Sequence, residues 1–173
     1  MAKQKVTAFW FRRDLRLDDN VGLYYALKSD YPVLPIFVFD KNILNDLSDK
    51  KDARVSFIHQ ELSGINQELK SKGSRLQTYY TTPRQAFRQI LEDYDVQGVH
   101  TNRDYEPYAT KRDQEIEQLL DDEVVFKTHK DQVIFEPTDV LKDDGTPYLV
   151  YTPYSKKWLS SSTDESYESV TSA

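Results

Sequence analysis

Apolar residues in this chain fall into two patterns that take turns: short runs with little polar interruption, and stripes repeating every three or four positions. Val6 to Phe11 is the first run, β-branched and aromatic without polar alternation, as a strand buried on both faces requires. A charged turn follows, holding Arg12, Arg13, Asp14 and Arg16, and Asp18-Asp19-Asn20 then supplies an N-cap for an amphipathic helix carrying Val21, Leu23, Tyr24, Ala26 and Leu27. Pro32 breaks the chain before a second run, Val33 to Phe39, in which Pro35 must fall near a strand start or an unpaired position. Asp40-Lys41-Asn42 closes that strand, and a polar loop runs to about Asp52. Val55, Ile58, Leu62, Ile65 and Leu69 mark one face of a long helix that Gly73 ends as a C-cap.

The alternation continues to residue 128. Leu76 to Tyr80 is a third strand, and Thr82-Pro83-Arg84-Gln85 reads as a capping box opening a helix with Ala86, Phe87, Ile90, Leu91 and Tyr94 inward. Gly98 to Thr101 is a short fourth strand, followed by the charged and aromatic loop Asn102 to Tyr108. A helix with Ile116, Leu119 and Leu120 and a fifth strand from Val124 to Thr128 complete the pattern. Strands and helices in turn specify an α/β fold, Rossmann-like and doubly wound, with three α/β/α layers around a five-stranded parallel sheet. Right-handed crossovers make 3-2-1-4-5 the simplest strand order. The first and fourth strands are then neighbours, and their following loops face each other across one crevice, beside Phe39-Asp40 at the end of strand two.

From about Asp131 the alternation stops. Residues 132–159 read as an irregular extension of the same domain, with a turn at Asp143-Asp144-Gly145-Thr146-Pro147 and a helix that Thr152 could cap and Pro153 open. Residues 160–173, rich in serine, threonine and acid, have almost nothing to bury and read as the start of a linker.

Composition narrows the chemistry. At 173 residues the chain fits one domain. Its formal net charge of −6 offers no broad basic face to a nucleic acid. With no cysteine, disulfide, zinc-thiolate and thiol-nucleophile chemistry are all excluded. His59, His100 and His129 are dispersed among different elements with no ligand spacing, so no metal site is expected. No apolar stretch approaches membrane-spanning length and no signal-peptide region precedes the first strand, which makes a soluble cytoplasmic protein the default and a membrane partner unexpected.

The stretch Phe9-Trp10-Phe11-Arg12-Arg13-Asp14-Leu15-Arg16-Leu17 with Asp19-Asn20 resembles the opening signature of the DNA photolyase and cryptochrome family. Phe39-Asp40, the run Asn102-Arg103-Asp104-Tyr105-Glu106-Pro107-Tyr108 with Lys111-Arg112-Asp113, and Gly145-Thr146-Pro147-Tyr148 with Tyr151-Thr152-Pro153-Tyr154 and Trp158 agree with it in order and spacing. The resemblance implies that residues 1–131 form the N-terminal domain carrying a light-harvesting antenna chromophore. The FAD-binding helical domain, which receives UV-damaged DNA in the repair enzymes, is absent from these residues. It further implies a deoxyribodipyrimidine photo-lyase when full-length, repairing pyrimidine dimers through excited reduced FAD, with this segment not catalytic by itself. Trp10 and Trp158 stand outside the family's electron-transfer chain, which lies in the helical domain.

Carried over by position, the antenna pocket of deazaflavin- or flavin-type members looks like Arg12, Arg13, Phe37, Val38, Asp40, Arg54, Asp104 and Glu106. Apolar walls suit a tricyclic ring, while carboxylates and arginines suit the N–H and carbonyl groups of its pyrimidine edge. Folate-type members resemble this chain less, because Ala109 stands where they carry an acidic residue. The same arginines and carboxylates also read as an ion-pair network stapling two loops, with Trp10, Phe37 and Phe39 as core. A cryptochrome without repair activity is the alternative within the family. A generic nucleotide-binding α/β domain, of electron-transfer-flavoprotein or stress-protein type, is the alternative outside it, although the turn after strand one has no glycine with which to cradle phosphate. The segment from Tyr148 to Trp158 is expected to expose apolar residues and favour self-association.

Overall fold

The computed structural model describes residues 2–49, 52–163 and 168–172. Five parallel strands, β1 (Gln4–Phe11), β2 (Val33–Asp40), β3 (Gln77–Thr81), β4 (Tyr94–Asn102) and β5 (Val125–His129), form one sheet in the order β3-β2-β1-β4-β5. The connecting helices are α1 (Val21–Leu27), α2 (Lys41–Leu44), α3 (Ala53–Ser71), α4 (Pro83–Asp93) and α5 (Pro107–Glu117), and α6 (Tyr151–Ser161) follows the sheet. Each strand presents alternate residues to opposite layers. Phe9 and Phe11 of β1 pack with Leu23 and Ala26 of α1 and Leu62, Ile65 and Leu69 of α3. Ala8 and Trp10 face the other way, onto Ala86, Phe87 and Ile90 of α4 and Ile116 of α5. The result is the three-layer arrangement and strand order that the alternation of elements dictates.

Local signals explain most boundaries. The Asn20 side chain accepts from the Leu23 N–H at 3.1 Å and is the cap of α1, while Asp19 before it takes a positive φ of 49°. Gly73 has φ 77° and ends α3 in a Schellman motif, with Ser74 N–H donating to Leu69 and Gly73 N–H to Lys70. Pro35 lies opposite Phe9, one residue before the β2–β3 register opens at Ile36↔Gln77, so its missing N–H falls outside that ladder.

Four expectations are corrected. The loop after β2 is not wholly irregular, because the Asp40 carboxylate accepts from Asn42 N–H at 2.9 Å and caps the short helix α2. Tyr94 leaves α4 and begins β4, which is longer at its start than the run Gly98 to Thr101 suggests, since Val96 is buried against the sheet's core. Thr82 caps α4, but the Gln85 side chain turns to the Thr81 hydroxyl and not back to the cap, so the box is half made. α6 begins at Tyr151 with Val150 as an N-cap that makes no side-chain bond, so Thr152 is not its cap.

Of the stretch 160–173, residues 164–167 and 173 lie outside the described residues. Within 168–172 the chain returns to the start of α1: Val170 N–H donates to Asp19 at 2.9 Å, and the buried Ser172 hydroxyl donates to Leu17 C=O at 2.5 Å and accepts from Asn20 N–H at 3.1 Å. Among the described residues no helix is long and apolar enough to cross a membrane.

Candidate functional site

The carboxyl ends of β1, β2 and β4 open into a cleft of about 600 Å³. Open α/β sheets bind ligands at this place because the loops diverge where the strand order reverses. The turn after β1 that forms its edge is held by buried amides. Asn102, at the end of β4, donates to the Asp14 carboxylate at 2.5 Å and to Asn20 at 2.9 Å, and accepts from Gly22 N–H at 2.8 Å. That last contact brings α1 so close that a Cβ on Gly22 would lie 2.7 Å from the Asn102 oxygen and 2.9 Å from the Phe9 ring.

One wall of the cleft is apolar. Phe37, Val38 and Phe39 of β2, Ile43 and Leu44 of α2, Leu47, and Val55 and Ile58 of α3 contribute to it. The stripe of α3 thus divides its work: Leu62, Ile65 and Leu69 are buried in the core, whereas Ile58 and Val55, one and two turns earlier, line the cleft. The opposite edge is charged. Arg13 reaches from the β1 turn to Glu106 at 2.7 Å and Asp104 at 3.5 Å, and the hydrogen bond with Glu106 raises its pKa. Tyr108 of α5 spans the cleft to donate to the buried Asp40 carboxylate, and accepts from the Asn42 amide at 3.2 Å. Burial first, and the bond to Asp40 second, push the Tyr108 phenol up.

At the floor, Arg12 makes a bidentate pair with Asp113 at 2.7 and 2.8 Å. Burial, and then the neighbouring charge of Arg112, lower the Arg12 pKa to about 10, which leaves it cationic at neutral pH. Arg54 is at the rim, where its guanidinium grips the carboxylate of its own helix cap, Asp52, at 2.5 Å. That bond holds the Asp52 carboxyl at about 2. A smaller polar cavity of about 320 Å³ shares Arg12, Arg13 and Asp104 with the cleft and is bounded by Arg16, Arg103 and Asp131.

Arg12, Arg13, Phe37, Val38, Asp40, Arg54, Asp104 and Glu106, singled out from the sequence, all line this one cleft. The ion-pair reading describes the same residues, since Arg13 does staple the two loops. Sequence reasoning missed Tyr108 and Arg112 as lining residues, and Ile43, Leu44 and Leu47, whose spacing within the supposed polar loop was the available signal. It also missed a histidine pair away from the cleft. His129 Nε2 lies 3.0 Å from His100 Nδ1, and the His129 ring stacks on Tyr25 at 4.8 Å. Adjacent parallel strands bring together residues far apart in sequence, so spacing along the chain carried no sign of this. Among the described residues no group of three or more acidic, histidine or cysteine side chains is arranged to hold a metal.

A doubly wound α/β domain with a ligand-sized, half-apolar cleft at its switch point is the class these features define. The family model for DNA photolyase matches residues 7–171, and the chain belongs to that family, as its N-terminal α/β domain. It is 33% identical over 151 residues to a deoxyribodipyrimidine photo-lyase of Synechococcus, covering 87% of this chain and 31% of that protein. It is 30% identical to cryptochrome-2 of Arabidopsis thaliana over 174 residues, covering 98% of this chain and 27% of the relative. Among solved structures, a class III photolyase from Agrobacterium tumefaciens superposes with a TM-score of 0.79 at 28% identity, over 95% of this chain and 33% of that one. An archaeal photolyase from Sulfolobus tokodaii, solved with two FAD molecules, gives 0.67 at 32% identity, over 76% of this chain and 30% of that one. The chain thus spans about a third or less of the length of these relatives.

Proposed function

We propose that this chain is the antenna domain of a light-driven photolyase and that its cleft takes a flat tricyclic chromophore of the deazaflavin or flavin class. The observation that carries this reading is the convergence of Phe37 and Val38 with Arg12, Arg13, Asp40, Arg54, Asp104 and Glu106 on one cavity of about 600 Å³. Its apolar wall fits a ring face, and the pairs of Arg13 with Asp104 and Glu106 offer donors and acceptors to a ring edge. Bound there, such a ring would supply light absorption only. The chain's own task is to hold it flat and dry, which asks for no acid, base or nucleophile.

In the full-length protein the excitation would serve FAD in a helical domain acting on UV-damaged DNA. The Sulfolobus tokodaii photolyase, described as implicating a novel light-harvesting cofactor, supports the flavin form of this reading. A cryptochrome is the second reading, favoured by the match to cryptochrome-2 along 98% of this chain.

FMN titrated into the 173-residue chain tests the site. We expect saturable binding that perturbs the flavin spectrum and weakens about tenfold or more in Asp104→Ala, which removes a charged partner of the ring edge. Absence of saturable binding by FMN and by a deazaflavin would overturn the reading. Blue-light splitting of thymine dimers by the full-length protein separates photolyase from cryptochrome.

A further inference from the structure

Trp10 is buried to 2% at the floor of the cleft, with its indole edge-on to Phe87 at 5.0 Å. Two guanidiniums lie over that indole, Arg12 at 4.4 Å and Arg112 at 4.8 Å from its centroid. Both are nearly enclosed, with side-chain exposures of 6% and 10%. They share one carboxylate: Asp113 takes the bidentate pair from Arg12 and also the Arg112 Nε–H at 3.3 Å.

Of the two guanidiniums at the ring, Arg12 holds Asp113 through two bonds and Arg112 through one. Asp14, whose charge also favours the Arg12 cation, bonds Arg12 N–H and the Asn102 amide, and Asp40 bonds Tyr108 and Asn42. Arg12 Nε and Arg112 Nη2 are buried without a hydrogen-bond partner among the described residues. A staple between β1 and α5 needs only Arg12 and Asp113. What the second arginine shares with the first, besides that carboxylate, is the indole.

We propose that Arg12 and Arg112 protect an excited ring in the cleft from electron transfer out of Trp10. The inference rests on the chromophore reading above. Indole is the neutral side chain most readily oxidised where no proton is lost, and an excited flavin-type ring is a strong one-electron acceptor. At the cleft floor, Trp10 would be oxidised by one electron and the excited ring reduced by it, with no proton moved. Recombination would return the electron, and the excitation would be lost as heat. Guanidinium charge within 5 Å opposes this, because the oxidised indole is itself a cation and the repulsion acts in a site with little water. The cation–π attraction that stabilises the neutral indole would also be lost on oxidation. Trp10 can then serve as a large planar packing element without quenching what it supports.

The test measures the fluorescence lifetime of FMN bound to the chain, with binding followed separately by equilibrium dialysis. Arg112→Met should shorten that lifetime about threefold or more through loss of one opposing charge, and Trp10→Phe added to Arg112→Met should restore it. Arg112→Lys, which keeps the charge, should leave the lifetime long, and Arg112→Gln carries the comparison if the methionine variant does not fold. A lifetime indifferent to charge at residue 112, or a shortening that persists without Trp10, overturns the proposal.

Failure of FMN to bind would count against the chromophore reading alone, and a ligand-free measurement then decides this one. In the Trp158→Phe chain, where Trp10 is the sole tryptophan, photogenerated tris-bipyridine ruthenium(III) should oxidise Trp10 about tenfold faster once Arg112 is replaced by Met or Gln. Equal rates, read as the indole radical absorption, would overturn it.

Discussion

Asn102 shows how one side chain can set the position of a whole edge of the site. It spends both amide hydrogens and its oxygen inside the protein, on Asp14, Asn20 and the Gly22 N–H. Truncating it leaves a buried backbone donor and a carboxylate short of partners, at about 1–3 kcal/mol for each unsatisfied group. Asn102→Ala should therefore lose about 2–3 kcal/mol in urea unfolding, and a loss below about 0.5 kcal/mol would show that water replaces the amide freely. At this scale the sequence was informative about residue identity and silent about pairing. Arg13, Asp104 and Glu106 could be named from the loops that hold them, but that Arg13 bonds both carboxylates while Arg12 turns down to Asp113 depends on the separation of β1 and α5, which no spacing encodes.

Among the elements, β4 and β5 carry a consequence for pH. His100 and His129 meet diagonally, since the register sets His100 opposite Lys127 and His129 opposite Asn102, and their rings stack at 5.0 Å; burial foremost lowers both, His129 to about 4. Mutual repulsion and the cations Lys127 and Arg103 act in the same direction on His129, and Asp131 acts against them. In the unfolded chain each histidine titrates near 6.5. As pH falls from about 6.5 to about 4 the unfolded chain takes up protons that the fold refuses, so stability is full above this window and declines through it. With His129 partly exposed, its decline should be ~1–2 kcal/mol. Urea unfolding at pH 7.5, 5.5 and 4.5 should show a flatter profile in His129→Gln, and parallel profiles would remove the pair as the cause. Element order was legible because runs and stripes are set by burial, which the core residues of both layers bear out. α2 was harder to see, since a helix of four residues carries only Ile43 and Leu44 of an apolar spacing and depends on the Asp40 cap.

Across the whole molecule, exposed apolar side chains are scattered except for one run, from Leu149 to Leu159. α6 has no buried residue, and Leu149, Tyr151 and Leu159 are 90%, 79% and 67% exposed. Trp158 does pack, edge-on to Phe135 at 5.3 Å, so the exposed face is narrower than the composition of residues 148–158 suggests. The chain should self-associate in light scattering as concentration rises, and Leu149→Ser with Leu159→Ser should return it to a monomer; monomeric behaviour of the unaltered chain throughout would show that this face is tolerated in water.

The return of residues 168–172 to the start of α1 bears on how the domain assembles. The turn that carries Arg12 and Arg13 and one hydroxyl that closes it, on Ser172, lie far apart along the chain. Joining them means closing a loop of some 150 residues, an entropic toll met only after the sheet has already drawn both ends together. The cleft edge is therefore completed late, as a latch on a finished frame and not as the seed from which the frame grows.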